Sequence, residues 1–270
     1  MKFKSERTST FRRLSMLGFE MVKGGHNFYA LLEFDVTDLR KALREQRRMG
    51  EKVQPGGQGR GASLFAFVLK AIGMCLQEFP EFNSMINARR KTTFYEVDVD
   101  IPIEVNKNDE IYNKQCILRN VNLKSISAID AEIKQAKTET GEEKTFMASK
   151  AGQRFFTLLP KSLVLFLFRL ILRNHKLVKQ HSGTAFVTSV SMFSNAPGFV
   201  IPYAGGPKAV SFAVGSVVKK PVVKRDEIII REMMNLTAIF NHDLVDGAPA
   251  ARFINRLRRY IEQDYKRLFS

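Results

Sequence analysis

Two periodicities divide the hydrophobic and polar positions of this chain into strands and helices. Alternation with a period of two, typical of a half-buried strand, predicts strands over 28–36 and 97–105, where Pro102 indicates an edge or bulge position. Apolar residues three and four apart predict a helix over 124–137. The other predicted elements are helices over 37–48, 63–79, 149–174 and 248–269, and strands over 111–119, 184–193, 208–218 and 227–241.

The order of these elements indicates the fold class. Helices and strands are intermixed without strict β-α-β alternation, which favours a mixed sheet in an α/β sandwich over a doubly wound or barrel fold. The glycine-rich segment 50–61 reads as a loop inside a domain and not as a boundary between domains. We therefore expect a single α/β domain over 1–270.

Composition limits the classes of partner. The chain has 43 Lys and Arg against 27 Asp and Glu, a formal net charge of +16, which should attract anions. The basic residues are scattered and no nucleic-acid-binding motif is present, so we expect no nucleic acid partner. Cys75 and Cys116 offer no metal-ligand spacing and no disulfide framework. We expect no metal, a reducing compartment and, without a signal peptide in this sequence, a cytoplasmic protein.

The most apolar run, 163–172, is too short to span a bilayer and is interrupted by Arg169. We interpret it as a buried or subunit-facing helix. Attachment to a membrane surface, which its basic flanks would support, is the less favoured alternative.

The strongest candidate for chemistry is the stretch from Asn241 to Ala248. Alternation places His242 on the apolar face of a strand, behind Phe240, and four residues before Asp246-Gly247, which opens a helix. A histidine held in this way could serve as a base in a dry pocket. The spacing alone also fits a core histidine beside a capping aspartate.

Several motifs, in one order and over nearly the whole chain, resemble a known family. His242-x-x-x-Asp246-Gly247 is similar to the signature of the acyltransferase component of 2-oxo acid dehydrogenase complexes, and of chloramphenicol acetyltransferase, which shares its fold. Further segments that resemble the family are Phe11-Arg12-Arg13-Leu14, the strand and helix from Phe28, Phe79-Pro80-Glu81-Phe82-Asn83, the helix 123–133, and Gly183-Thr184 through Met192-Phe193.

The resemblance implies a fold, an assembly and a reaction. The fold is the chloramphenicol acetyltransferase-like two-layer sandwich with a mixed sheet, assembled as homotrimers, or multiples of trimers, with active sites between subunits. The reaction is acyl transfer between coenzyme A and a thiol acceptor similar to dihydrolipoamide. Such a reaction needs a base that deprotonates the thiol and a donor for the tetrahedral oxyanion.

The resemblance also assigns roles to residues of this chain. His242 is the general base, and Thr188 stands where the family has an oxyanion-stabilising serine, with Ser189 next to it as the alternative. Asp246 is implied to pair with an arginine of the basic opening and so hold the histidine turn. Arg13 matches that arginine best and Arg12 is its rival.

The chain also departs from the family pattern. Asp243 follows His242 where complex-forming members usually carry arginine, and Ser191 and Ser194 replace two glycines. Neither a lipoyl domain nor a subunit-binding domain is recognisable, so we expect a stand-alone form without its own lipoyl group, using a thiol or a separate lipoyl protein. The alternatives are acetylation of a small hydroxyl compound and a catalytically silent scaffold.

Overall fold

The structure is a computed structural model. The residues that it describes are 1–6, 8, 10–22, 25–53, 61–87, 89–107, 110–138, 152, 155, 158–190, 196–203 and 206–269. Most of the predicted loop 50–61, together with Ser191 and Ser194, lies outside these ranges. The helices are α1 (Thr10–Val22), α2 (Thr37–Val53), α3 (Leu64–Glu78), α4 (Ile126–Thr138), α5 (Lys161–Arg173), α6 (His175–Ser182) and α7 (Gly247–Glu262). The strands are β1 (Asn27–Asp35), β2 (Ser84–Asn87), β3 (Arg90–Thr93), β4 (Val99–Lys107), β5 (Glu110–Leu118), β6 (Ala185–Ser189), β7 (Val210–Lys224) and β8 (Glu227–Asn241).

Six of these strands form one mixed sheet in the order β1-β8-β7-β6-β4-β5. The central neighbours β7, β6 and β4 run parallel, whereas β1, β8 and β5 pair antiparallel with their neighbours. The predicted mixed sheet is therefore confirmed. A separate two-stranded ladder joins β2 and β3.

Pro102 lies in a part of β4 that has a partner on one side only. The parallel pairing of β4 with β6 covers just Val99 and Asp100, whereas the pairing with β5 continues along the whole strand. Proline cannot donate to a ladder and is tolerated where a strand has an open side. Pro102 thus occupies an edge position, as predicted, although the beginning of β4 lies between β6 and β5.

One face of the sheet packs against helices. Alternate residues of β6, β7 and β8 enter the core. There the Phe253 ring of α7 lies 6.0 Å from Phe212 of β7, 6.3 Å from Phe240 of β8 and 4.6 Å from Phe82. The helices that contribute to the same core are α2, α3, α4 and α7. This sheet-and-helix arrangement is the predicted two-layer α/β architecture.

Two helical predictions need correction. Of the helix predicted over 149–174, the structure shows α5, which begins after Pro160 and ends at Arg173, while most of 149–157 lies outside the described residues. The next helix, α6, was not predicted, and Asn174 caps it by accepting a hydrogen bond from the Leu177 amide. The helix predicted over 248–269 ends at Glu262 and is followed by a 3-10 turn, Tyr265–Leu268. The basic opening forms α1, and the β2–β3 hairpin had no counterpart among the predicted elements.

A polar cluster joins α3 to α7 beside this core. Arg256 donates two hydrogen bonds to the Glu78 carboxylate, at 2.6 and 2.9 Å, and the Tyr260 hydroxyl donates a third. The hydrogen bonds from Arg256 lower the pKa of Glu78, outweighing the effect of its burial. Because the folded chain holds Glu78 ionised, this contribution to stability is present above its unfolded pKa and is lost as the pH falls through its folded pKa.

We expect Glu78→Ala to lower the free energy of unfolding by about 1.5–3 kcal/mol at neutral pH, since it removes charge-assisted hydrogen bonds from partly buried partners. Urea unfolding measures the change. Arg258→Ala is the matched control: its guanidinium, which pairs with Glu262, is 59 % exposed against 25 % for Arg256, and its loss should cost about 0.2–1 kcal/mol. Equal effects of the two substitutions would contradict this assignment.

Candidate active site

His242 directly follows β8, at the start of the turn that leads to α7. Its backbone amide donates to the His26 carbonyl at 2.6 Å, just before β1. The preceding Asn241 organises the turn: its side chain accepts from the Asp243 amide, and its carbonyl accepts from Leu244 and Val245. The backbone at His242 is therefore fixed from both strands, β1 and β8.

The Phe28 ring supports the imidazole of His242. The Phe28 ring lies 5.0 Å from the His242 ring and stacks on Phe240 at 5.2 Å, within the core. The His242 side chain is nevertheless 54 % exposed in the protomer. The two planes are tilted by 60°, so the imidazole leans against the Phe28 ring and keeps an open side that can receive a substrate.

Asp246 faces the imidazole from the N-terminus of α7. Its Oδ1 lies 3.7 Å from His242 Nδ1, which is too long for a hydrogen bond and close enough for electrostatic orientation. This arrangement leaves Nε2 as the nitrogen that points away from the pair. The Asp246 carboxylate is 83 % exposed. Arg12 and Arg13 lie on exposed positions of α1.

Asp243, the residue that departs from the family pattern, has a local partner. Its Oδ1 lies 2.9 Å from His26 Nδ1. His26 thus braces the turn that carries His242, a role that its position after two glycines did not reveal. Phe28 was likewise predicted only as a strand residue, although alternation places it on the same face as the histidine.

Thr188 lies on β6, on the face of the sheet opposite the helices. Ala185 and Val187 alternate into the helical core, so Phe186 and Thr188 point to the other face, where both are half-buried. Ser189 shares the helical face with Val187. The two hydroxyls therefore lie on opposite faces, as predicted.

The structure does not bring Thr188 and His242 together within a protomer. The register aligns Thr188 with Ala213 on β7 and Ala213 with Thr237 on β8, five residues before His242. With about 3.4 Å per residue and about 4.8 Å per strand, the two residues are separated by about 20 Å. They also lie on opposite faces of the sheet, because Phe240, and with it His242, alternates to the helical face.

His175 is a buried structural residue. Its Nδ1 lies 2.7 Å from Thr92 Oγ1 and its Nε2 lies 3.1 Å from the Asn87 amide nitrogen, joining α6 to the β2–β3 hairpin. Burial lowers the pKa of His175. Both ring nitrogens are therefore occupied in holding structure.

We expect His175 to make the protein less stable in mild acid. Its folded pKa lies below its unfolded value, so below about pH 6.5 the unfolded chain binds a proton that the folded chain resists. The free energy of unfolding should fall between pH 7 and pH 5 by less in His175→Gln than in the unaltered protein. His181→Gln, at an exposed position, is the control and should not flatten the pH dependence.

Other kinds of site are not found in the described part of the chain. There, no group of three or more His, Cys, Asp or Glu side chains is arranged to hold a metal ion. None of its helices combines the length and hydropathy that a bilayer span requires. Neither Cys75 nor Cys116, both described, forms a disulfide.

Comparison with solved structures identifies the class of fold. A probable dihydrolipoamide acetyltransferase from Listeria monocytogenes superposes with a TM-score of 0.69 at 23 % identity, covering 96 % of this chain and 94 % of the other. The dihydrolipoamide acetyltransferase of Azotobacter vinelandii gives a TM-score of 0.71 at 18 % identity, covering 100 % and 95 %. The chain therefore has the fold of acyltransferase catalytic cores, as the resemblance implied.

Sequence comparison defines the family. Residues 3–158 and 172–269 match the model of the 2-oxoacid dehydrogenases acyltransferase catalytic domain, and the chain belongs to this family. The lipoamide acyltransferase component of the branched-chain alpha-keto acid dehydrogenase complex from Bacillus subtilis is 27 % identical over 241 residues, which are 87 % of this chain and 46 % of that protein. The corresponding protein of Pseudomonas putida is 25 % identical over 238 residues, 88 % and 47 % of the two chains. The chain thus spans about half the length of these curated relatives.

Proposed function

We propose that this protein is a coenzyme A-dependent acyltransferase that moves an acyl group between coenzyme A and a thiol acceptor such as dihydrolipoamide. The observation that carries the proposal is the setting of His242: fixed backbone, aromatic support, an open face, and Asp246 beside Nδ1. Nε2 takes the proton of the attacking thiol, because the thiolate is the nucleophile. The thiolate then attacks the thioester carbonyl, and collapse of the tetrahedral intermediate breaks the other C–S bond and expels that sulfur, which takes the proton back from Nε2 and leaves as the thiol.

The oxyanion donor in this proposal is Thr188 of a neighbouring subunit. Thr188 and His242 of the same protomer are about 20 Å apart on opposite faces, so a site that uses both must form between two chains. A closed homotrimer supplies three equivalent sites of this kind. In the Azotobacter acetyltransferase, a serine, a histidine and an asparagine four residues after that histidine have been investigated for their role in the catalytic mechanism. Thr188, His242 and Asp246 are the counterparts in this proposal.

Asp246 has a positioning role in this site. Its exposure leaves it open to a cation from α1 when subunits assemble, and Arg13 is the proposed partner, with Arg12 as the alternative. An arginine that neutralises Asp246 would lock the turn of His242 at the subunit boundary.

The basic charge suits a substrate that carries phosphates. Coenzyme A is an anion, and a net charge of +16 should increase its rate of encounter at low ionic strength. The acceptor in the proposal is a free thiol or the lipoyl group of a separate protein. The proposal places the protein in a cytoplasmic, reducing compartment, where Cys75 and Cys116 would stay reduced.

The test is an acyl-transfer assay with the purified protein, in which a panel of acyl-coenzyme A thioesters are the donors and dihydrolipoamide is the acceptor. Stimulation of coenzyme A release by dihydrolipoamide is the expected result. Release stimulated only by small hydroxyl compounds would replace the thiol acceptor with an alcohol. A folded assembly that turns over no donor with either acceptor class would overturn the proposal in favour of a silent scaffold.

A further inference from the structure

Helix α5 lies almost entirely between the two segments that match the family, since the match omits residues 159–171. The shared family chemistry therefore gives no account of it. Its sequence, KSLVLFLFRLILR, contains ten apolar or small residues and three cations, with no acidic residue. Only Val164 among its side chains is fully buried in the protomer.

The apolar side chains of α5 that face solvent lie on one side. Leu163, Phe166 and Leu170 are 41 %, 56 % and 43 % exposed, and they are spaced three and four residues apart. Such spacing puts them in one stripe along the helix. Leu158, just before the helix, extends the exposed apolar surface at 85 % exposure.

Cations line this stripe. Arg169 and Arg173 are also exposed, and at 100° per residue they lie on one flank of the stripe, within about a third of a turn of Phe166. Lys161 does not belong to this flank: it lies about 140° from Phe166 around the helix, and its Nζ is 3.6 Å from a carboxylate oxygen of Glu20 of α1. A solvent-facing stripe of large apolar groups bordered by cations is the pattern of a helix that lies in the interface of an anionic bilayer.

We propose that α5 docks this protein on the surface of a membrane that contains anionic phospholipid. Leu163, Phe166 and Leu170 enter the boundary between headgroups and acyl chains, while Arg169 and Arg173 bind the headgroup phosphates. The helix lies parallel to the surface: its 13 residues measure about 20 Å, less than the roughly 30 Å of a hydrocarbon core. A second copy of α5 is a poorer occupant, because pairing this face with itself would oppose arginines to arginines.

From the sequence alone, a buried or subunit-facing helix is favoured over attachment to a membrane surface. The apolar sequence of the run also fits a helix of the core. Because the stripe faces solvent in the protomer, the prediction of a buried helix is wrong, and a subunit-facing helix stays a prediction. The arginines beside it favour anionic lipid over an apolar protein face.

Sedimentation with vesicles tests the proposal on the intact protein. Binding is expected to vesicles of phosphatidylcholine mixed with phosphatidylserine, to weaken with salt, and to be much lower on phosphatidylcholine alone. Phe166→Ser combined with Leu170→Ser should lower the partition coefficient by about tenfold or more. Arg169→Gln combined with Arg173→Gln should lower it by a similar factor on anionic vesicles only.

The matched control uses exposed apolar residues elsewhere. Ile228 and Ile230, on the β7–β8 hairpin, are 77 % and 73 % exposed, and Ile228→Ser with Ile230→Ser should leave vesicle binding unchanged. Equal loss in the control, or no binding of the unaltered protein to either vesicle, would overturn the proposal. So would a change of oligomeric mass in the α5 variants without vesicle binding, which would assign the stripe to a subunit contact. Acyl transfer in solution is a separate measurement, so the two proposals can fail independently.

Discussion

Replacing His242 with alanine is expected to lower kcat for acyl transfer by about 10²- to 10⁴-fold, the usual contribution of a positioned general base. The fold should survive, because the imidazole is 54 % exposed and the turn is held through backbone groups of His242 and Asn241. Steady-state release of coenzyme A, measured beside thermal unfolding of the same preparations, separates loss of the base from loss of structure.

His26 supplies the matched control for this substitution. It touches the same turn through Asp243, is more exposed than His242 at 80 %, and has no part in the proposed proton transfer. His26→Ala should therefore change kcat by less than about threefold, the effect of removing one exposed ion pair near a site. Equal losses in the two variants would show that the turn, and not the imidazole of His242, limits activity.

Elements with a strong periodic pattern could be predicted from sequence. The helix α7 follows from Phe253, Leu257 and Ile261 at four-residue spacing, and all three are buried. The strand β8 was predicted over 227–241 and has those bounds. In both cases the spacing of apolar residues within the element itself predicts which of them are buried.

Elements fixed by polar contacts could not be predicted in this way. β3 has the polar sequence RKTT, which contains no alternation of apolar and polar residues. Its pairing with β2 therefore cannot be read from its own sequence. The division between α5 and α6 depends on one side-chain cap, from Asn174. Both features arise from hydrogen bonds that have no hydrophobic signature.

For the site, too, one part could be predicted from the sequence and another could not. Alternation placed His242 behind Phe240, and the family resemblance supplied Thr188, but neither gave the distance between the two residues. That distance follows from a register across three strands, which sequence patterns do not specify. Because this register separates Thr188 from His242 within one protomer, mixed assemblies of variant subunits can test whether the site forms between two chains.

Two inactive variants are expected to restore each other when they assemble together. Thr188→Ala should lower kcat by about 10²- to 10³-fold through loss of the oxyanion donor, and His242→Ala removes the base. Co-expression with two different tags, followed by purification through both, isolates trimers that contain both variants. In every such trimer, an intact His242 of one chain meets an intact Thr188 of the next at about one site in three, so about a third of the unaltered rate per site should return.

A second mixture distinguishes this arrangement from a site within one chain. Unaltered protein is assembled with the double variant Thr188→Ala, His242→Ala and purified through both tags in the same way. The mixed trimers should retain about a sixth of the rate per site if the two groups come from different chains, and about half if they come from one. No rescue in the first mixture together with half activity in the second would place both residues in a single protomer, against the separation of about 20 Å that the strand register gives.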